Sequence, residues 1–102
     1  MKEPFFSIIV VCLNPGGKLK DTLDSIERQT FHDFEVIIKD GGSSDGSLAY
    51  GEEMANAWKG EERSLRIVRK KDMGIYDAMN QASREAAGRF VYFLNCGDLF
   101  YT

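Results

Sequence analysis

Carboxylates stand in two glycine-containing stretches of this 102-residue chain. The first stretch, DGGSSDG, contains Asp40 and Asp45, and the second, NCGD, ends at Asp98. The glycines of the first would suit a phosphate-binding loop, but the lysine of a P-loop and the spacing of a dinucleotide site are missing. Because two acids would repel a phosphate, these carboxylates suit hydrogen-bond donors such as a base imide N–H or ribose hydroxyls.

A purely structural turn is the alternative for the first stretch. Asp, Ser and Gly are favoured in turns, and an Asx-type turn followed by a helix cap would use one acid, most plausibly Asp45. This explanation suits Asp40 less well. The residue types alone leave both explanations open.

Asp98 is placed where it could hold a hard cation, just past a predicted buried strand. Mg²⁺ or Mn²⁺ usually takes one or two protein carboxylates and completes its shell with phosphate oxygens and water. A simple turn formed by Asn95, Gly97 and Asp98 is the alternative, and the spacing alone favours it.

A third polar cluster lies in KDMGIYDAMN, between residues 71 and 80. Asp72 and Gly74 precede a predicted helix whose first amide groups could face an anion. Asp77 and Asn80 lie three residues apart on one face of that helix. Compensation of the helix dipole would explain Asp77, whereas Asn80 is harder to explain because asparagine is a poor helix former.

Four predicted strands alternate with three predicted helices and must position these clusters. Continuous apolar runs predict strands over 5–13, 34–40 and 89–95, and a shorter, more polar run over 65–70 predicts a strand near an edge. Apolar residues at helical spacing predict helices over 18–29, 46–58 and 75–87. Ser43, Ser44 and Asp45 are candidate caps of the second helix. The alternation predicts an α/β fold with a mostly parallel sheet and crossover helices.

Parallel sheets of this kind bind ligands outside the carboxyl ends of their strands. Asn14 follows the first predicted strand, and the three clusters follow the second, third and fourth. We therefore expect all of them at one edge of one sheet.

Composition limits the classes of function. A net charge of -3 argues against binding nucleic acid through bulk phosphate attraction, and no apolar run reaches the length of a membrane span. The length predicts one domain over 1–102. Glu3 and Pro4 argue against a signal peptide. Cys12 and Cys96 have no CxxC spacing, so they predict neither a zinc site nor a redox pair, and they indicate a reducing, cytoplasmic location.

Taken in order, these motifs resemble the N-terminal half of family 2 glycosyltransferases, which have the GT-A fold. The resemblance rests on FSIIVVCLN, QTFHDFEVIIKDGGSSDGS and KDMGIYDAMNQASREAAGRFVYFLNCGD, and it covers nearly the whole chain. Each motif alone is weak, but the ordered set is highly specific. GIYDAMN resembles the branch that builds bacterial surface polysaccharides. The resemblance implies a Rossmann-like half of a GT-A fold that is truncated after the fourth strand.

The resemblance also implies a nucleotide-sugar donor, with a UDP-sugar expected, and a role for each matching residue. Asp40 would contact the uracil, while Asp45 would hold its loop and cap the helix. Asp77 and Asn80 would lie beneath the donor sugar. Asp98 would bind Mn²⁺ or Mg²⁺ through the donor diphosphate. The full set of implied nucleotide-binding residues is Cys12, Leu13, Asn14, Asp40, Gly41, Gly42, Asp45, Lys71, Asp72 and Gly74.

Two departures from the family pattern carry expectations of their own. The metal motif normally has two or three acids, and Gly97 replaces the acid that meets the ribose, so we expect weaker metal binding. The family's general base lies in a second half, and no acid of this chain has an obvious claim to that role. We therefore expect the chain to be inactive alone. The complete protein is expected to invert the anomeric centre, to use a glycan or lipid-linked acceptor, and to work in the cytoplasm, including at the inner membrane face.

The fourth predicted strand would be interior in the complete family sheet. Here its apolar run FVYFL would form an exposed edge, which predicts a homodimer or higher oligomer through that edge. Two other functions remain open: a non-catalytic nucleotide-binding or interaction module, and a nucleotidyltransferase of related fold. The latter should carry a basic Gly-rich loop after the first strand, of which NPGGKLK is a faint version.

Overall fold

The computed structural model describes residues 3–98 and residue 100. Within them, four strands alternate with three helices, which confirms the predicted α/β fold. The sheet has the order β3-β2-β1-β4, and every neighbouring pair is parallel. The elements are β1 (Phe6–Cys12), α1 (Lys18–Glu27), β2 (Phe34–Asp40), α2 (Ala49–Ala57), β3 (Ser64–Arg69), α3 (Ile75–Glu85) and β4 (Phe90–Asn95).

Alternate residues of the central strands pack on opposite faces of the sheet, as the pleat requires. Val10 of β1 lies in the larger core, together with Leu23 of α1 and Met54 of α2. Ile9, the preceding residue of β1, packs on the other face against Ala82 of α3. Helices α1 and α2 therefore cover one face, and α3 covers the other.

Strand β4 lies at an edge of the sheet, and among the described residues it pairs with β1 alone. Its predicted burial on both faces is wrong for this chain, because α3 packs on β1 and β2 instead. The expected exposed apolar edge is present: Phe90, Val91, Tyr92 and Phe93 are 53%, 43%, 45% and 40% exposed. Strand β3 forms the other edge, as predicted.

Helix α2 begins later than predicted, at Ala49, and its N-cap is Leu48 with no side-chain cap. The predicted capping role of Ser43, Ser44 or Asp45 is therefore wrong. Asp45 cannot cap the helix because its carboxylate is bound to other backbone groups, described below. None of the described helices is long and apolar enough to cross a membrane.

A buried polar network fixes the end of α3 against the start of the sheet. The Glu35 carboxylate accepts hydrogen bonds from Ser7 Oγ and from Ala87 N, both at 2.6 Å. Gly88 N donates to Ser7 Oγ at 2.8 Å, so the chain passes directly over β1. This contact determines where α3 lies and hence where its N-terminus meets the ligand edge.

Replacing Gly88 by alanine should destabilise the fold. A Cβ at this position would lie 2.6 Å from both Ser7 N and Ser7 Oγ, closer than any real contact allows. We expect a loss of about 1–3 kcal/mol in the free energy of unfolding, measured by urea titration, as for other overpacked sites. Gly17→Ala is the matched control, because a Cβ at Gly17 would meet nothing within 4 Å. Equal stability of the two variants would contradict the close approach.

Candidate functional site

The polar loops meet at the carboxyl edge of the sheet, where β1 is flanked by β2 on one side and by β4 on the other. The strand order reverses there, which is where open α/β sheets bind ligands. Two of the clefts at this edge are lined by predicted nucleotide-binding residues. The cationic cleft, of about 450 Å³, is lined by Asp40, Gly41, Gly42, Ser43, Arg69, Lys70 and Lys71. The switch cleft, of about 350 Å³, is lined by Val11, Leu13, Asn14, Pro15, Gly16, Lys18, Asn95 and Cys96.

Asp40 is the last residue of β2, and it is only 2% exposed. Its Oδ2 accepts hydrogen bonds from Gly42 N at 3.2 Å and from Ser43 N at 2.9 Å, while its Oδ1 accepts one from Ser43 Oγ. The structural turn considered for this stretch therefore forms at Asp40 as well as at Asp45. Since a carboxylate has about four lone-pair positions, roughly one acceptor position is left for a ligand.

Asp45 and Asn14 bind the loop after β2 to the loop after β1. Asp45 accepts from Ser47 N at 3.0 Å and from Gly16 N at 3.2 Å, so it holds both loops. Asn14 accepts from Ser44 N at 2.8 Å through its side-chain oxygen. Hydrogen bonds from Ser47, more than any other contact, lower the pKa of Asp45 below its usual value. These bonds hold the loop after β1 and the loop after β2 together. The two loops carry most of the predicted nucleotide-binding residues.

Lys39 is a site residue that sequence reasoning missed. Its side chain is completely buried, and Nζ donates to Asp72 Oδ2 at 3.0 Å, to Asp40 O at 3.2 Å and to Lys70 O. The sequence does contain a signal for this role. A lysine inside the run FEVIIKD, which is predicted to be buried on both faces, requires partners for its charge.

Asp72 faces inward, toward Lys39. Its Oδ1 accepts from Gly74 N at 3.2 Å, and its side chain is 16% exposed. The hydrogen bond from Lys39 is the largest cause that lowers the pKa of Asp72, and partial burial opposes it. Gly41 makes room for this carboxylate, because a Cβ there would lie 2.8 Å from Asp72 Oδ2. The structure thus places Asp72 behind the cationic cleft, whereas Lys71 lines it.

Asp77 serves the start of α3. Its Oδ2 accepts from Met73 N at 2.8 Å and from Gln81 Nε2 at 3.1 Å. Gly74 is the N-cap of this helix and has a φ of 118°, which favours glycine. These contacts support the structural explanation for Asp77, while Asn80 is exposed on the same helix.

Helix α1 holds the loop that carries Asp98. Thr22 Oγ1 donates to Asp98 O at 2.8 Å and accepts from Gly97 N at 2.9 Å. Further along the same helix, Ser25 Oγ accepts from Phe100 N at 2.9 Å. Gln29, just past the helix end, donates to Phe100 O at 3.2 Å. A row of polar side chains along α1 therefore fixes the backbone of this loop.

Cys12 and Cys96 form a disulfide, although the lack of CxxC spacing predicted no redox pair. The register of β1 with β4 pairs Val11 with Asn95, which brings the next residue of each strand side by side, with a Cα–Cα distance of 5.9 Å. Because 84 residues separate the two cysteines in the sequence, their proximity could not be predicted from local patterns. Because Cys12 is buried and bonded, its side chain does not line either cleft.

Asp98 fits the role of a single protein ligand to a hard cation. It is exposed, and among the described residues its carboxylate accepts one hydrogen bond, from Asn95 N to Oδ2 at 3.3 Å. No described residue donates a hydrogen bond to its other oxygen. Residues 3–98 and 100 contain no group of three or more His, Cys, Asp or Glu arranged to hold a metal. Such a cation would therefore take most of its ligands from phosphate and water, as Mg²⁺ commonly does.

The sequence profile of Glycosyl transferase family 2 matches residues 7–101, nearly the whole chain. The chain belongs to this family. A PGL/p-HBAD biosynthesis glycosyltransferase of Mycobacterium bovis is 43% identical over 99% of the chain, and the glycosyltransferase EpsJ of Bacillus subtilis is 28% identical over 93%. The chain spans 38% and 26% of the lengths of these relatives.

Solved structures agree with the family assignment. The chain superposes on a mannosyltransferase of Pyrobaculum calidifontis, in complex with GDP-Man and Mn²⁺, with a TM-score of 0.84 and 25% identity, over 99% of the chain and 30% of that protein. It superposes on TarS of S. aureus, in complex with UDP-GlcNAc, with a TM-score of 0.73 and 26% identity, over 93% and 27%. The predicted resemblance to the N-terminal half of a family 2 glycosyltransferase is thereby confirmed.

The stability of this family 2 chain should depend on pH through Asp72. Because its pKa is lowered on folding, Asp72 contributes stability above its unfolded pKa of about 3.9, and that contribution is lost as the pH falls through the lowered folded value. Asp72→Asn should therefore be less stable than the parent at pH 7, and the difference should narrow below about pH 4. Urea unfolding at several pH values measures this, with Glu53→Gln on the exposed face of α2 as control. A difference independent of pH would contradict the Lys39–Asp72 pair.

Proposed function

We propose that this chain is the donor-binding part of a glycosyltransferase that uses a nucleotide-sugar, with a UDP-sugar expected. The observation that carries the proposal is the cationic cleft at the carboxyl ends of β2 and β3, where the Asp40 loop faces Lys70 and Lys71. Family membership and the nucleotide-sugar complexes of the two superposed proteins support it.

The cationic cleft offers contacts for the base of a nucleotide and for its diphosphate. The remaining acceptor position of Asp40 suits a base imide N–H. A ligand can also approach the backbone of Gly42 closely, because a Cβ there would meet nothing within 4 Å. Lys70 and Lys71 are exposed, so they can attract the negative diphosphate. Leu13 and Asn14 of the switch cleft would border the nucleotide, and Asn80 the donor sugar.

Asp98 would hold Mn²⁺ or Mg²⁺ in this proposal. When bound, such an ion would neutralise charge on the donor diphosphate and on the departing nucleotide. The protein's contribution is to present Asp98 on a loop that Thr22 fixes from α1. Gly97 supplies no carboxylate, so we propose that the metal binds weakly in the absence of the donor diphosphate.

Transfer of the sugar needs more than these residues. An acceptor hydroxyl must lose its proton to a general base, and we assign this role to no residue of the chain. Because the related proteins are more than twice as long, we propose that the acceptor site and the base belong to a further segment. Inversion and a glycan or lipid-linked acceptor stay part of this proposal.

A cytoplasmic location, including the inner membrane face, also stays a proposal. The Cys12–Cys96 disulfide removes the argument for this location that was based on unpaired cysteines, because structural disulfides are rare in reducing compartments.

Calorimetric titration of the chain with UDP should show binding that depends on Mn²⁺. Asp98→Ala should abolish that dependence and weaken UDP binding, because it removes the proposed ligand of the ion. Glu62→Ala should bind like the parent, because Glu62 is an exposed acid that precedes β3, at the opposite end of that strand from the cationic cleft. GDP is titrated in parallel, since one superposed protein binds GDP-Man.

Each other outcome contradicts a part of the proposal. Metal-independent binding of UDP would remove the role of Asp98. Tighter binding of GDP would replace the expected uracil nucleotide by a guanine one. Folded protein that binds neither nucleotide would contradict the donor site altogether.

The exposed edge of β4 should make the isolated chain self-associate. Its unpaired backbone groups and apolar side chains can pair with the same edge of a second copy. Sedimentation velocity should show a dimer or larger species whose fraction rises with concentration, and Phe93→Lys should reduce it by placing a charge at this edge. Leu13→Lys is the control, since Leu13 is exposed but lies outside β4. A parent protein that stays monomeric at high concentration would contradict this prediction.

A further inference from the structure

Lys39 is the buried charge around which the walls of the cationic cleft are arranged. A lysine ammonium has three N–H donors, and here all three are used, by Asp72 Oδ2, Asp40 O and Lys70 O. A buried charge is costly unless it is paired and fully hydrogen-bonded. This one meets both conditions, so its position is fixed by the end of its own strand, at Asp40, and by the loop after β3, which carries Lys70 and Asp72.

The partners of Lys39 belong to the segments that line or support the cleft. Asp40 ends β2 and begins one wall, and Lys70 lines the opposite wall just after β3. Asp72 continues the connection, because it accepts from Gly74 N at the start of α3. A single ammonium thus connects the ends of two strands with the N-terminus of a helix.

We propose that Lys39 is a positioning residue for the donor nucleotide, and this inference rests on the proposed donor site. Together with the backbone bond from Lys70 N to Asp40 O at 3.0 Å, it fixes the separation of the two walls of the cationic cleft. It also holds Asp72 away from the ligand, in the space that Gly41 leaves open. Lys39 does not touch the donor, because its side chain is completely buried. It acts through the carbonyl of Lys70 and the carboxylate of Asp72.

A role in stability alone explains these contacts less well. Replacement of a buried ion pair by apolar side chains of similar size is often neutral or stabilising, so the core by itself does not need this charge. Every bond of the ammonium is made instead to a segment at the ligand edge. The arrangement therefore serves the geometry of the cleft.

The test compares Lys39→Met with Lys20→Met in calorimetric titrations with UDP and Mn²⁺. Methionine keeps much of the length of the side chain and removes the ammonium. Lys20 is the matched control, since it pairs with Asp24 at 2.7 Å on the exposed face of α1, away from the cleft. We expect UDP affinity to fall roughly 10- to 100-fold for Lys39→Met, the range seen for residues that orient ligand-binding groups, and to be unchanged for Lys20→Met.

Hydrogen exchange gives a second measurement that does not need the nucleotide. Lys39→Met should accelerate amide exchange in residues 41–43 and 70–74, and leave residues 95–98 unchanged. Should Lys39→Met fail to fold, Asp72→Asn is tested in the same way, because it keeps the lysine and removes only its charged partner.

Three results would overturn a proposal, and they are distinguishable. Full UDP affinity in folded Lys39→Met, or in Asp72→Asn, overturns the positioning role alone. Faster exchange spread evenly over the sheet and helices indicates a merely structural lysine and also overturns it. Absence of UDP binding by the unsubstituted protein overturns the donor site itself, and with it any role of Lys39 toward a donor.

Discussion

A polar group taken out of water must be hydrogen-bonded, and this requirement organises the ligand edge of the sheet. Asp40 is buried at the end of β2, so its carboxylate draws the following loop into a turn by accepting from Gly42 N and Ser43 N. Lys39 is buried beside it. Because its ammonium must also be hydrogen-bonded, it donates to Lys70 O and to Asp72 Oδ2 and so holds the loop after β3 in place. On the other side of β1, Thr22 satisfies the backbone around Asp98. Each loop is shaped by one buried polar group beneath it.

The same bonds reconcile several acids with a site proposed for an anionic ligand. Asp40, Asp45, Asp72 and Asp77 all accept hydrogen bonds from backbone N–H groups of their own loops. Asp72 also has the full positive charge of Lys39 against it. Their negative charge is therefore largely compensated within the protein. Lys70, Lys71 and Asp98 are exposed, so in the proposed site the two lysines would attract a phosphate and Asp98 would bind a cation.

Features that depend on local periodicity could be predicted from the sequence, whereas features that depend on register could not. The order and type of all seven elements follow from apolar runs and helical spacing, and so does the edge at which Asp40 and Asp98 lie. The Cys12–Cys96 bond depends on the pairing of β1 with β4, across 84 residues. The inward turn of Asp72 depends on a lysine 33 residues earlier. The exposure of Phe93 depends on which strand neighbours β4. The family resemblance predicts it, whereas the local apolar pattern predicts a buried strand.

Helix α1 has a mechanical consequence for the loop that carries Asp98. Thr22 and Ser25 are hydrogen-bonded to the backbone of this loop, and Gln29, about one turn further on, donates a hydrogen bond to Phe100 O. The loop cannot shift relative to the helix without breaking these bonds, so a displacement of α1 would carry the loop with it. Since a helix rises 1.5 Å per residue, α1 extends about 14 Å from Lys18, which borders the switch cleft, to Glu27 at its far end. The Asp98 loop is therefore anchored along most of this length, and it keeps its position relative to the switch cleft as long as these bonds hold.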